Sequence, residues 1–183
     1  MIIGITGTNG AGKGTVVEYL IEKGFMHHSA SGFITGEVVR RGLLVNRDNM
    51  RLVANDLRKA HGPAYVIESL FNKAQESAGD AILESIRTVG EAEFLKNHGA
   101  PIFAVDADRR VRYDRIVGRR SEKDQVTFEQ FCEQEDREMH APDAWDMNIA
   151  GVMKMADYTL TNDGTVEELR AQAEEILVKL EQR

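Results

Sequence analysis

The sequence predicts an α/β fold: a doubly wound parallel sheet of five strands with helices on both faces. Three observations predict it. Short apolar runs of strand length alternate with segments of helical period. A glycine-rich loop joins the first such run to the first helical segment. The length of 183 residues suits one domain rather than two separate cores.

Ile2 to Thr6 reads as a short buried strand, followed by the glycine-rich turn and a helix marked by Val16, Val17, Leu20 and Ile21. A second strand is expected near Phe25 to Ser29. Two or three helices then fill Gly32 to Glu76, with Asn46 suited to cap the middle one. Ala81-Ile82-Leu83 and Ile102-Phe103-Ala104-Val105 are compact apolar runs bounded by polar residues, as parallel strands buried on both faces are. Tyr158 to Thr161 is the expected last strand; Asn162-Asp163-Gly164 then turns the chain and Thr165 caps the terminal helix. Pro63, Pro101 and Pro142 fall at breaks between elements. The resulting arrangement is a single domain over 1–183, with a helical insertion at about 31–79 and a short lid at about 115–138.

Composition excludes several function classes. A net charge of −7 argues against a general nucleic-acid surface, which needs excess Lys and Arg. Cys132 is the single cysteine, so an intrachain disulfide is impossible and a cysteine-based zinc site is not expected. The start Met1-Ile2-Ile3 reaches glycine at once, without the basic flank of a signal peptide, and no later run has membrane-spanning length. A cytoplasmic protein, monomeric or a small homo-oligomer, is the expectation.

The loop Gly7-Thr8-Asn9-Gly10-Ala11-Gly12-Lys13-Gly14-Thr15 lies where a phosphate cradle is needed, after a strand and at the start of a helix. Its glycines let successive N–H groups turn around a phosphate, and the helix N-terminus adds its positive dipole end. Lys13 can bridge the β- and γ-phosphates. ATP contacts are therefore expected from Asn9, Gly10, Ala11, Gly12, Lys13, Gly14 and Thr15. Gly14 stands where a Ser or Thr usually contacts magnesium, which makes Thr15 the nearest hydroxyl.

The Gly-Lys-Gly-Thr ending resembles the nucleoside monophosphate kinases of the adenylate kinase branch. Asp114-Arg115-Ile116-Val117-Gly118-Arg119-Arg120 resembles the segment entering that family's lid. Glu84-Ser85-Ile86-Arg87-Thr88 resembles its Asp-Gly-x-Pro-Arg-Thr segment. The chain is also similar, over nearly its whole length, to an archaeal group of adenylate-kinase-related proteins. Asn55-Asp56-Leu57-Arg58, Ile86-Arg87, and Ala156-Asp157-Tyr158 with Asn162-Asp163-Gly164-Thr165 carry that likeness.

The resemblance implies the remaining site residues. Glu84, at a strand's carboxyl end, is expected to orient Mg²⁺ with Thr15, through water; the competing reading is a cap for the next helix. Arg87 falls where these kinases hold the acceptor's phosphate, against the alternative of a surface salt bridge. Glu91 matches a glutamine that reads the acceptor base; as an ionised carboxylate it would favour an exocyclic amino group over a carbonyl, unless it is a solvated helix residue. The acceptor turn corresponds to Ala30-Ser31-Gly32-Phe33, so Ser31 and Gly32 are acceptor-binding candidates. Thr35 occupies the place of the family's arginine, and Arg40 or Arg41 is the expected substitute. Arg47, Arg51 and Arg58 read individually as a solvated helix face.

Arg109, Arg110, Arg112, Arg115, Arg119 and Arg120 form the densest basic cluster in an acidic chain. Arginines closing over clustered phosphates would stabilise charge and exclude water, and Arg115 and Arg119 are the preferred lid residues, with Arg137 also facing the phosphates. The competing reading is an amphipathic helix with ion-paired arginines. His27 and His28, adjacent on a strand, should point to opposite faces. Trp145 and nearby methionines read as packing.

The expected activity is transfer of the γ-phosphoryl group of Mg-ATP to a small phosphorylated acceptor, a nucleoside or deoxynucleoside monophosphate. An acceptor phosphate is already ionised, so Lys13, Mg²⁺, Arg87 and lid arginines suffice without a strong base. Two other readings share the loop: a kinase of hydroxyl groups resembling dephospho-CoA kinase, which would need a base, and a nucleotide-dependent switch or regulatory ATPase.

Overall fold

The first apolar run forms β1 (Ile2–Gly7) in the computed structural model, which describes residues 1–77, 79–118 and 126–182. Ile3 and Ile5 are fully buried because β1 lies mid-sheet. Its neighbours are β3 (Ala81–Glu84) and β4 (Ile102–Asp106), with β2 (Met26–Ser29) and β5 (Tyr158–Thr161) at the edges, in the order β2-β3-β1-β4-β5. Every pairing is parallel, with Ile5 opposite Glu84 and Gly7 opposite Val105. The five-stranded doubly wound sheet predicted from the sequence is the observed one.

Parallel neighbours require long crossovers, and helices supply them. α1 (Lys13–Glu22) and α9 (Val166–Glu181) cover one face; Val16, Leu20, Leu169 and Ala173 pack there against Ile3, Ile5, Ile82 and Phe103. α2 (Ala30–Arg40), α3 (Arg47–His61), α4 (Tyr65–Glu76), α5 (Val89–Asn97) and α8 (Ile149–Met155) cover the other, around Leu83, Ile86 and Ile102. The strand period of two sends Ile82 to one core and Leu83 to the other. α6 (Arg109–Gly118) and α7 (Phe128–Met139) follow β4.

Local signals place the helix ends. The Asn46 side chain accepts the Asn49 N–H at 2.8 Å and starts α3. Thr165 and Glu168 form a reciprocal cap on α9. Two sequence expectations change. Ile21 is 45% exposed, because α1 buries Tyr19 in its place. Residues 30–33 are not a turn but the first turn of α2, capped by Ser29, whose hydroxyl accepts the Gly32 N–H at 3.1 Å. The expected lid spans the end of α6, residues 119–125, which lie outside the described residues, and most of α7. Among the described residues no helix is long and apolar enough to cross a membrane.

Candidate active site

In doubly wound sheets, ligands bind outside the carboxyl ends of the strands where the order reverses, and here that crevice lies beyond β1 between β3 and β4. The glycine-rich loop fills it. Gly10 (φ +80°) and Gly12 (φ +97°) adopt left-handed backbone that lets the loop curl over the start of α1. Gly12 is the N-cap of α1 and offers no side-chain cap; its carbonyl accepts the Thr15 N–H at 3.0 Å. The Lys13 ammonium donates to the carbonyls of Gly7 (3.0 Å) and Thr8 (2.7 Å), which holds its charge over the loop's mouth.

Three side chains, from the end of β4, from α6 and from just beyond β5, brace this cradle. Asp106 accepts the Thr8 hydroxyl at 2.7 Å. Asn162 donates its amide to the Ala11 carbonyl at 2.8 Å. Arg112, almost wholly buried, donates to Ala107 (2.8 Å) and Asn9 (3.3 Å) carbonyls while Glu135 neutralises it. Sequence reading placed Arg112 in a general basic cluster and passed over Asp106 and Asn162. The only signal for Asp106 was its position closing a buried apolar run.

The basic cluster therefore divides. Arg115 bonds the Asn162 carbonyl at 2.9 Å and flanks the outer wall of the phosphate loop, away from the acceptor side. Arg109 pairs with Glu135 and Asp136, and Arg110 lies over Phe128 at 4.8 Å. Arg119 and Arg120 lie outside the described residues. Arg137 is exposed on α7, where its neighbours Gln134 and Glu138 instead turn inward.

On the acceptor side, a cavity of about 310 Å³ is lined by Asn9 of the loop, Ser31, Ser85, Glu138 and four arginines, Arg47, Arg51, Arg58 and Arg87, with Ile34, Met50, Ala54 and Met147 as apolar wall. Ser85 takes a left-handed backbone (φ +74°), a strained conformation outside glycine, at the turn that delivers Arg87. Arg87 Nη1 donates to the Gly7 carbonyl at 3.3 Å, so this guanidinium bridges the phosphate loop and the cavity. Burial, the largest influence, pushes its pKa below the ordinary arginine value; Glu138, Glu84 and Glu91 pull it back, and Arg47 pushes with burial. A desolvated cation of this kind favours an incoming anion.

The arginines expected to substitute for the family's acceptor arginine do not reach the cavity. Arg40 is 73% exposed and, with Arg41, is held on the surface by Glu37; Arg41 also bonds Asp56. Arg47, Arg51 and Arg58, which looked like a solvated helix face, supply the charge instead, because that face of α3 turns inward. Arg47 bonds Glu138 (2.7 Å) and Gln134 (3.0 Å) of α7, and Arg51 pairs with Asp146.

Glu91 is corrected too. It is neither solvated nor able to read a base. Fully buried, it caps α5: one oxygen accepts the backbone N–H of Arg87 (2.8 Å) and Thr88 (3.1 Å), and the other accepts Nε (3.0 Å) and Nη2 (2.7 Å) of Arg58. Ser31 lines the cavity; Gly32 does not, since its N–H is spent on the Ser29 cap.

Glu84 sits at the carboxyl end of β3, and one of its oxygens meets His27 at 2.9 Å, while on the other face burial, and then the Lys73 charge, push the His28 pKa below the ordinary imidazole value. Thr15 is half-buried at the start of α1. A hydroxyl and a carboxylate at the sheet's carboxyl end suit magnesium, which keeps waters and substrate phosphates as its other ligands. Consistent with so sparse a donor set, no group of three or more His, Cys, Asp or Glu able to hold a metal occurs among the described residues.

Sheet order, phosphate loop and adjoining cavity define a P-loop protein of kinase-like fold. A family model described as AAA domain matches residues 3–143. A UPF0200 protein of Methanothermobacter thermautotrophicus is 30% identical, the alignment covering 100% of this chain and 92% of the relative. The chain belongs to the AAA domain family and to the UPF0200 proteins. Among solved structures, TT1252 from Thermus thermophilus superposes with a TM-score of 0.65 at 21% identity, over 98% of this chain and 97% of its own. Shikimate kinase from Acinetobacter baumannii, in complex with shikimate, superposes with a TM-score of 0.60 at 17% identity, over 100% and 94%. At such identities these two likenesses speak for the fold.

Proposed function

We propose that the protein is an ATP-dependent phosphotransferase that moves the γ-phosphoryl group of Mg-ATP to a nucleoside or deoxynucleoside monophosphate. The observation that carries this reading is Arg87: a half-buried guanidinium bonded to the phosphate loop at Gly7 and lining the adjoining cavity. In this reading it holds an acceptor's phosphate beside the donor's.

The loop N–H groups and Lys13 bind the donor's phosphates, and Arg87 orients the acceptor for in-line attack. Magnesium, held by Thr15 and by Glu84 through water, would neutralise charge on the phosphates. Arg115 and Arg119 remain the proposed lid cations, although Arg115 must exchange its Asn162 carbonyl for a phosphate to serve. A hydroxyl acceptor would need a base. Glu138 is the single carboxylate among the described lining residues, and Arg47 holds it, which favours an acceptor that is already ionised.

The test is ADP formation from Mg-ATP in the presence of each ribo- and deoxynucleoside monophosphate and of dephospho-CoA, against an acceptor-free control. Stimulation by a monophosphate is expected, falling by about 10²–10³-fold in Lys13→Ala and Arg87→Ala. Acceptor-independent hydrolysis alone would point to a nucleotide-dependent switch, and stimulation by dephospho-CoA alone to a hydroxyl kinase.

A further inference from the structure

The cavity's four arginines are not equivalent. Arg47 is paired with Glu138, Arg51 with Asp146 and Arg58 with Glu91, so among the described residues Arg87 is the one of the four with no hydrogen-bonded carboxylate. An anionic group is drawn to Arg87, and the rest of the acceptor must meet paired, nearly neutral groups.

Among these, Arg58 stands out. Its side chain is 1% exposed, yet it belongs to the cavity wall. Glu91 fixes it through Nε and Nη2, while Nη1 finds no hydrogen-bond acceptor among the described residues. Buried donors are almost always satisfied, and an orphan beside a cavity signals a partner that arrives with a ligand. Glu91 has no capacity left, since its two oxygens already accept four N–H groups. The unspent hydrogen-bonding capacity of the pair is therefore donor only. A second phosphate there would set its full negative charge against Glu91, whereas a carbonyl oxygen carries only a partial one. Ile34, Met50, Ala54 and Met147 give the same cavity apolar walls suited to a flat ring.

We propose that Arg58, held by Glu91, is the residue that sets acceptor specificity, and that it selects bases presenting an exocyclic carbonyl over those presenting an exocyclic amino group. This rests on the reading of the cavity as a nucleotide acceptor site and reverses the preference that an exposed Glu91 would impose. A donor facing an amino group leaves both donors unpaired in a buried site, which discriminates strongly.

Pairs differing at that group and in the hydrogen on the adjacent ring nitrogen test it: UMP against CMP, and IMP against AMP, with binding to the full chain measured by titration calorimetry. In the wild type the oxo member of each pair is expected to bind at least about tenfold more tightly. In Arg58→Met combined with Glu91→Gln, whose folding is checked by its melting curve, that ratio should fall to near one. Should the double variant not fold, Arg58→Lys, which keeps the charge beside Glu91 but loses the planar fork, should show the same loss. Equal or reversed preference in the wild type, no binding of any of the four, or discrimination that survives in the folded variants would overturn the proposal. ADP formation in the same panel separates the two readings. Oxo-selective binding without turnover removes the kinase assignment alone, and turnover confined to the amino members removes the Arg58 assignment alone.

Discussion

At Gly12 a methyl group would overlap the Asn162 amide nitrogen on a backbone already at φ +97°, whereas at Gly14 nothing in the protein lies within 4 Å. The two loop glycines thus have different reasons to be glycine. Gly12→Ala should destabilise by about 1–2 kcal/mol. Gly14→Ala, on an exposed helical turn with negative φ, should gain up to about 1 kcal/mol. Urea unfolding of the two variants checks both signs. Arg58 supplies the other prediction at this scale. Truncation to Ala leaves the Glu91 carboxylate buried without its cation and should cost about 3–5 kcal/mol, while Arg58→Met with Glu91→Gln, which removes both charges, should cost less than half of that by the same assay.

Between elements, side-chain bonds tie the helical insertion to the end of the expected lid and to the segment that follows it. Arg47 reaches α7, and Arg51 reaches Asp146 in the α7–α8 connection, where Trp145 also lies under the Lys59 ammonium at 5.3 Å. Burial opposes ionisation of Asp146, but Arg51, the Met147 N–H and Asn55 outweigh it and hold the carboxyl below its ordinary value. A carboxyl whose folded pKa is depressed stabilises the fold above its unfolded value of about 3.9, and the contribution is lost as pH falls further, through the folded pKa. Asp146→Asn should therefore lower stability at neutral pH and flatten its decline below about pH 4. Thermal melts between pH 3 and 7 measure that slope.

Across the whole molecule, one sheet serves two apolar layers, with adjacent strand residues such as Ile82 and Leu83 committed to opposite cores. Neither layer can open without disturbing strands whose alternate side chains form the other core, so unfolding should be a single cooperative step. Trp145 fluorescence and far-UV circular dichroism are expected to give coincident urea transitions, and separated midpoints would show that the helical insertion melts independently.

The sheet, its order of helices and the phosphate cradle were legible in the sequence because they rest on local physics. Apolar runs of strand length, helical periods, the caps at Asn46 and Thr165, and glycines where backbone must turn left-handed all act over a few neighbouring residues. The acceptor side was legible only as a list of charges. Periodicity says that Arg47, Arg51 and Arg58 share one helix surface, not which surface turns inward, and a paired arginine looks the same in sequence as one facing a ligand. Tertiary packing decided that Arg40 and Arg41 stay on the surface with Glu37, that α3 brings Arg47, Arg51 and Arg58 to the cavity, and that Glu91 is spent on Arg58 and the start of α5. Those outcomes depend on contacts between residues far apart in the chain, where the cost of burying a charge is met only by a partner that folding brings to it.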